Sequence, residues 1–255
     1  MPSLPKLLGK FVDLPFRIKR KFHRIMGTQR VRTRYGVIMR ANWSDATFRM
    51  CYAGSYGTAL ADLISLRRRD FLFLDIGANQ GLYSLLAARN PFCRHAYAFE
   101  PVPGTFSLLR DNIAANLVSA RITAIDAAVS AKTGEAKITM RPEHSGSASL
   151  DNATFIHGGT EETIRTIDIS GIDSLLPSEG EILVKIDVEG HEMVVIDQLL
   201  SSRHLQRIAA IFYEVDEDWN DPAILETRLR AGGFSKFVRY GTGKHYDILA
   251  LRGEP

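Results

Sequence analysis

The sequence predicts an α/β fold with a mostly parallel sheet, an inserted β element and a C-terminal antiparallel hairpin. Three observations carry that prediction. Two apolar runs, residues 71–76 and 182–186, lead into acids, turn at glycines and open helical patterns. Short apolar runs bounded in this way read as strands covered on both faces. Further runs at 95–99, 121–125 and 208–213 alternate with helical patterns, as parallel strands require. Last, residues 234–240 and 245–251 flank Gly241-Thr242-Gly243-Lys244, the signature of a terminal hairpin.

At 255 residues the chain is one large domain, or a domain with an arm. Its 45% hydrophobic and 24% charged content is ordinary for a soluble globular protein. Cys51 and Cys93 make neither a disulfide framework nor a metal cluster, so a cytoplasmic, reducing location is expected. No run approaches the ~18 apolar residues of a membrane span, and no signal-peptide pattern is present.

Residues 1–34 form a basic arm with ten Lys or Arg against Asp13 alone, whereas the rest carries 22 basic and 28 acidic residues. Ile18, Phe22 and Ile25 fall on one helical face, with Lys19, Arg20, Lys21 and Arg24 elsewhere. Such a helix either packs on the domain with a solvated basic face or lies on an anionic membrane surface. Without interleaved aromatic platforms, the arm is not expected to bind nucleic acid. Residues 35–68 are read as a substrate-capping segment, with a strand near 35–40, a turn at 41–45 and a helix over 58–66. Trp43, Tyr52 and Tyr56 are candidates for a substrate mouth, or else core filler.

Residues 69–255 form the main domain. Gly77 and Gly81 let the first loop bend tightly beneath a ligand, and Leu82, Leu85 and Leu86 continue it as a helix. A second strand ends in Glu100, about 20 residues on, where a ribose-binding carboxylate belongs. Asn79 stands where a dinucleotide loop would carry its middle glycine, and Asp75 would repel a pyrophosphate. These residue types favour S-adenosylmethionine, with its ammonium and sulfonium, over NAD. The third strand ends at Asp126-Ala127-Ala128-Val129, where Asp126 either accepts from an adenine amino group or is a solvated loop acid. Residues 130–170 read as the inserted β element, and the Ser/Gly-rich stretch 144–149 as a loop and candidate lid.

The second diagnostic stretch, Asp187-Val188-Glu189-Gly190-His191-Glu192, follows the strand at 182–186. Four titratable groups at a strand end suit proton abstraction or a metal with acid ligands, or a helix start with Glu192 in its first turn. Asp187 with Glu214, at neighbouring strand ends, is a candidate Mg²⁺ pair, although a metal is not favoured.

Leu74-Asp75-Ile76-Gly77-Ala78-Asn79-Gln80-Gly81, Ala98-Phe99-Glu100-Pro101 and above all Val184-Lys185-Ile186-Asp187-Val188-Glu189-Gly190-His191-Glu192 resemble the FkbM family of S-adenosylmethionine-dependent methyltransferases. The resemblance runs from about Asp70 to Leu200. It implies a Rossmann-like methyltransferase fold and O-methylation of a hydroxyl on a sugar, glycan or natural product. It also implies cofactor contacts at Asp75, Gly77, Asn79, Gly81 and Glu100, with Asp187, Glu189 and His191 near the acceptor. Gly57, following Tyr56, departs from a family segment that usually has an acid there. The expected chemistry is in-line methyl transfer helped mainly by orientation, with His191 as first candidate for the base and Asp187 orienting it. The rival readings are an NAD-dependent oxidoreductase and a catalytically silent Rossmann-like protein that binds through its basic arm.

Overall fold

The computed structural model describes residues 18, 20–141, 144–150 and 160–253. In chain order its elements are β1 (Arg30–Arg32), β2 (Ile38–Arg40), α1 (Ala46–Ala53), α2 (Thr58–Leu66), β3 (Phe71–Ile76), α3 (Leu82–Arg89), β4 (Cys93–Phe99), α4 (Pro103–Ala115), β5 (Ile122–Ile125), β6 (Ala128–Val129), β7 (Gly134–Arg141), β8 (His144–Ser149), β9 (Thr160–Ile167), α5 (Ile169–Leu175), β10 (Glu181–Ile186), α6 (Glu192–Leu200), β11 (Ile208–Asp216), α7 (Pro222–Ala231), β12 (Phe234–Tyr240) and β13 (His245–Arg252).

The main sheet is seven-stranded and Rossmann-like, in the order β12-β13-β11-β10-β3-β4-β5. Its five central and edge strands from β11 to β5 are parallel, and β13 inserts antiparallel between β11 and β12. Strand alternation builds two cores. Phe71, Phe73 and Leu183 face a core shared with α1, α2, α3 and the β1–β2 hairpin. Leu72, Leu74, Ile76, Ile182, Val184 and Ile186 face the other, against α5, α6 and α7. A central strand buried on both faces therefore reads as an unbroken apolar run.

The chain leaves β3 towards β4 and β5, then returns to the other side of β3 as β10. That reversal opens a crevice at the C-terminal ends of β3 and β10, the ordinary ligand position in such sheets. Gly77 and Asp187 lie at those two ends.

Two differences from the sequence reading concern the arm boundary and the inserted element. β1 lies inside residues 1–34 but pairs with β2, so this hairpin straddles the expected arm boundary. It docks on α4, where the Asn112 side-chain carbonyl accepts from the Arg40 amide and that of Asn116 from the Ile38 amide. The stretch expected as a Ser/Gly loop is strand β8, paired with β7 through its backbone; backbone pairing there outweighs the low strand preference of its residues. It completes a separate four-stranded sheet, β6-β9-β7-β8, which is the inserted β element. Residues 1–17 of the basic arm lie outside the described residues.

Candidate functional site

The loop after β3 hangs across three strand ends. The Gly77 and Ala78 amides both donate to the Phe99 carbonyl, at 3.1 and 2.8 Å, and the Asp187 amide donates to that of Ile76 at 3.2 Å. Gly77 has φ +76°, and a Cβ there would sit 1.9 Å from the Asp187 carbonyl oxygen. Only glycine fits that conformation and that approach. Asn79 is also left-handed, at φ +50°. Its amide donates to Glu100 Oε2 at 2.9 Å, while the Val102 amide donates to Oε1 at 2.9 Å.

These residues line one side of a pocket. Gly77, Asn79, Glu100 and Ala127 all face it, as do Asp187, Glu189 and His191. Val129 of β6, Ile138 of β7 and Leu150 contribute an apolar wall from the inserted sheet. Three residues expected at the cofactor do not reach this pocket. Asp75 is fully buried beneath the loop, where Oδ2 accepts from the Ser84 amide and hydroxyl at 3.0 and 2.6 Å, so it ties down α3 instead. Gly81 is the left-handed N-cap of α3, packed against Leu109. Asp126 points outward and pairs with Arg165 at 2.8 Å, because the strand end turns only Ala127 and its neighbours inward.

A second pocket lies on the other side of Asp187. It is walled by Tyr56, Tyr83, Lys185, Phe212 and Glu214, and by Tyr240, His245, Tyr246 and Asp247 of the terminal hairpin. Asp187 borders both pockets. Tyr56 donates to Asp187 Oδ2 at 3.1 Å, and the Lys185 ammonium lies 3.4 Å from that oxygen and 3.6 Å from Asp75 Oδ1. Lys185 also donates to the carbonyls of Ile76 and Gly77, tying β10 to the glycine loop. Burial alone would lower the Lys185 pKa, but Asp187 and Asp75 leave it raised.

His191 lines the first pocket and not the second. It is the N-cap residue of α6, and Nε2 lies 3.1 Å from the Ser130 hydroxyl, beside the end of β6. Glu192 plays the structural part open to it. Its carboxylate accepts from the Val188 and Gly190 amides and from the Asn220 side chain, holding a turn in which Glu189 takes a left-handed φ of +53°. Trp43 and Tyr52 belong to the core, with rings 4.9 Å apart at 80°; of the three candidate mouth aromatics, Tyr56 alone lines the second pocket. At Gly57, where the chain departs from the family segment, a Cβ would meet the Tyr83 hydroxyl, the far end of that side chain, at 1.7 Å.

Carboxylates crowd this junction. One oxygen each of Asp187, Glu189 and Glu214 lie within 4.8 Å of one another, a donor set that a divalent cation could use. Asp247 sits directly across the sheet from Glu214. Burial, then the charge of Asp187, raises the pKa of Glu189, Glu214 and Asp247, that of Asp247 to about 6. Burial also raises Glu100 to about 7, against hydrogen bonds from Val102 and Asn79. His245 is raised to about 9, first by its hydrogen bond to Glu214 at 2.9 Å. A carboxyl with a raised folded-state pKa keeps a proton that the unfolded chain has released. Stability therefore falls as pH rises from the unfolded carboxyl value, about 4.4, through the raised values. His245 works in the same direction, since its pairing is lost as pH rises through about 9. The melting temperature of the unliganded protein is thus expected to drop by several degrees, on the order of 5 °C, between pH 5.5 and 8. Glu214→Gln is expected to flatten that slope; differential scanning fluorimetry across pH measures both, and a melting temperature rising with pH would contradict the repulsion.

Sequence reasoning missed Lys185, Tyr83 and the hairpin residues. The available signals were a lysine and an acid, Lys185 and Asp247, each interrupting an apolar strand.

Comparison with known proteins follows the same lines. The Methyltransferase FkbM domain family matches residues 75–236. "Methyltransferase 1" of Beauveria bassiana is 27% identical over 189 residues, 66% of this chain and 74% of that protein. The hexuronic acid methyltransferase AglP of Haloferax volcanii is 27% identical over 60% of this chain and 59% of its own length. The 31-O-demethyl-FK506 methyltransferase FkbM of Streptomyces tacrolimicus is 27% identical over 60% of this chain and 58% of its own. The chain thus spans under two thirds of the last two relatives. Among solved structures, M. jannaschii TYW2 in complex with AdoMet is 10% identical, with TM-score 0.49, covering 86% of this chain and 84% of that one. The family match takes in well over half of the sequence, including both glycine turns and the acids between the two pockets, and the chain belongs to the FkbM methyltransferase family.

Proposed function

We propose that the chain is an S-adenosylmethionine-dependent O-methyltransferase acting on a hydroxyl of a sugar, glycan or natural product. The observation that carries this reading is the placement of Asp187 between two pockets, one on each side of its carboxylate.

The first pocket suits the donor. Gly77 lets the loop close against the Asp187 backbone at the pocket edge, Glu100 offers a buried carboxylate for a ribose diol, and Ala127, Val129, Ile138 and Leu150 supply an apolar surface for adenine. When bound, S-adenosylmethionine supplies a methyl group on a sulfonium. The second pocket suits the acceptor. Its tyrosines and Phe212 offer flat apolar faces, and Asp187, Glu214 and Asp247 offer hydrogen-bond acceptors to hydroxyls. Its excess of carboxylates favours an uncharged acceptor over an anionic one. Asp187 is placed to accept the hydroxyl proton, with Tyr56 and Lys185 fixing its orientation. The name of one relative, for a 31-O-demethyl compound, supports an oxygen acceptor, and that of another, for a hexuronic acid, supports sugar chemistry.

A metal-assisted version draws on the three clustered carboxylates. Asp187 already has partners in Tyr56 and Lys185, and Glu214 in His245, which favours direct proton transfer. Calorimetric titration with S-adenosylmethionine and with NAD tests the donor: binding of the first alone is expected, and binding of NAD alone would sink the assignment. Transfer of labelled methyl from the donor to sugar-containing extracts is expected to survive EDTA. Loss of transfer that Mg²⁺ restores would establish the metal version instead.

A further inference from the structure

Ile18 and residues 20–25 are helical, and this helix meets the domain through His23 rather than through its apolar face. The His23 ring lies edge-on to Tyr52 of α1, with centroids 6.3 Å apart, and its Nδ1 is 3.2 Å from the Thr28 hydroxyl. Ile18, Phe22, Ile25 and Met26 are 63%, 58%, 73% and 63% exposed. An apolar face packed on the domain would be buried, so the first of the two readings of the arm does not describe these residues. Arg20, Lys21 and Arg24 are also exposed on the same short helix.

We propose that this helix is a docking surface for an anionic phospholipid bilayer. Apolar side chains at helical spacing enter the acyl boundary while flanking Lys and Arg meet lipid headgroups. The charge distribution selects that occupant. Ten of the 32 basic residues lie in the first 34 positions, against one acid, while the remainder of the chain is net acidic and would be repelled by the same surface. The cationic face thus orients the protein as well as binding it. The arm rests on α1, and Met50 of that helix, with Ser55 and Tyr56 just beyond it, lines the second pocket. Adsorption would bring that end of α1 near the lipid. No helix among the described residues is long and apolar enough to cross a membrane, so contact through this element is peripheral.

Flotation of the full chain with vesicles tests this without knowledge of the methyl acceptor. The protein is expected to float with an equimolar mixture of phosphatidylcholine and phosphatidylglycerol, to stay behind with phosphatidylcholine alone, and to be released as salt is raised. The double variant Phe22→Glu, Ile25→Glu is expected to lose flotation while keeping its melting temperature and donor binding. Leu117→Glu, at an equally exposed apolar site elsewhere, is expected to keep it. Failure to float with the anionic vesicles overturns the proposal, as does equal flotation of the double variant. Lipid-free dimerisation abolished by the same double variant would assign the face to a second copy of the chain and also overturn it.

Discussion

Asp187→Asn is expected to reduce methyl transfer by about a hundredfold to ten-thousandfold, the range for loss of a positioned general base, while changing donor affinity by less than about threefold. The expectation follows from geometry. Asp187 alone among the clustered acids borders both pockets, at the end of β10, where the sheet order reverses. Asparagine keeps the shape and can still accept from Tyr56, so the fold and the mouth of the pocket survive. What is lost is an acceptor for the hydroxyl proton and one of the two carboxylates facing Lys185. Single-turnover transfer with a saturating acceptor separates the two roles. A fall in turnover at unchanged KM marks a base, whereas a rise in KM alone marks an acceptor-binding residue. His191→Ala provides the contrast. Since His191 lines the donor pocket and leans on Ser130, its loss is expected to weaken donor binding more than turnover. The opposite outcome would return the imidazole to the role that its place in the sequence motif suggested.

How much of this was legible in the sequence depends on which faces a segment shows. β3 and β10 were visible because both faces are covered, so after Glu181 at the start of β10 every position is apolar except the two charges that meet each other, Asp75 and Lys185. The glycine loop was visible because Gly77 has no substitute at its φ and its distance from Asp187. Partner choice was not visible. Asp75 ends an apolar run next to the loop, which is also where a ligand-binding acid would stand; only the fold reveals that Ser84 captures it first. Asp126 is the same case, with Arg165 arriving from β9, 39 residues on. The second pocket was hardest to read. It is assembled from Tyr56, Tyr83, Glu214 and the terminal hairpin, segments far apart in the chain whose convergence depends on β13 inserting beside β11. No local pattern encodes that insertion.

Gly77→Ala is expected to abolish measurable donor binding and to lower the melting temperature by roughly 5 °C or more, since even the left-handed conformation alone costs about 1–2 kcal/mol. The added methyl would lie 1.9 Å from the Asp187 carbonyl oxygen and 2.9 Å from its carbonyl carbon, both backbone atoms of an adjacent strand end. Relief requires β3 and β10 to separate where the crevice forms, which would break the hydrogen bond from the Asp187 amide to the Ile76 carbonyl. Lys185, which donates to the Gly77 carbonyl, would be displaced with the loop. Gly81→Ala makes the comparison informative. Gly81 has a similar φ of +88°, but its Cβ would meet only Leu109 Cδ1, at 2.4 Å, the far end of a flexible side chain. The two variants share the conformational cost, so a milder effect at Gly81 isolates the backbone clash at Gly77. Equal losses in both, by calorimetry and thermal melting, would mean that left-handed strain alone governs the loop. Wild-type donor affinity in Gly77→Ala would mean that the ligand is not held at this strand end.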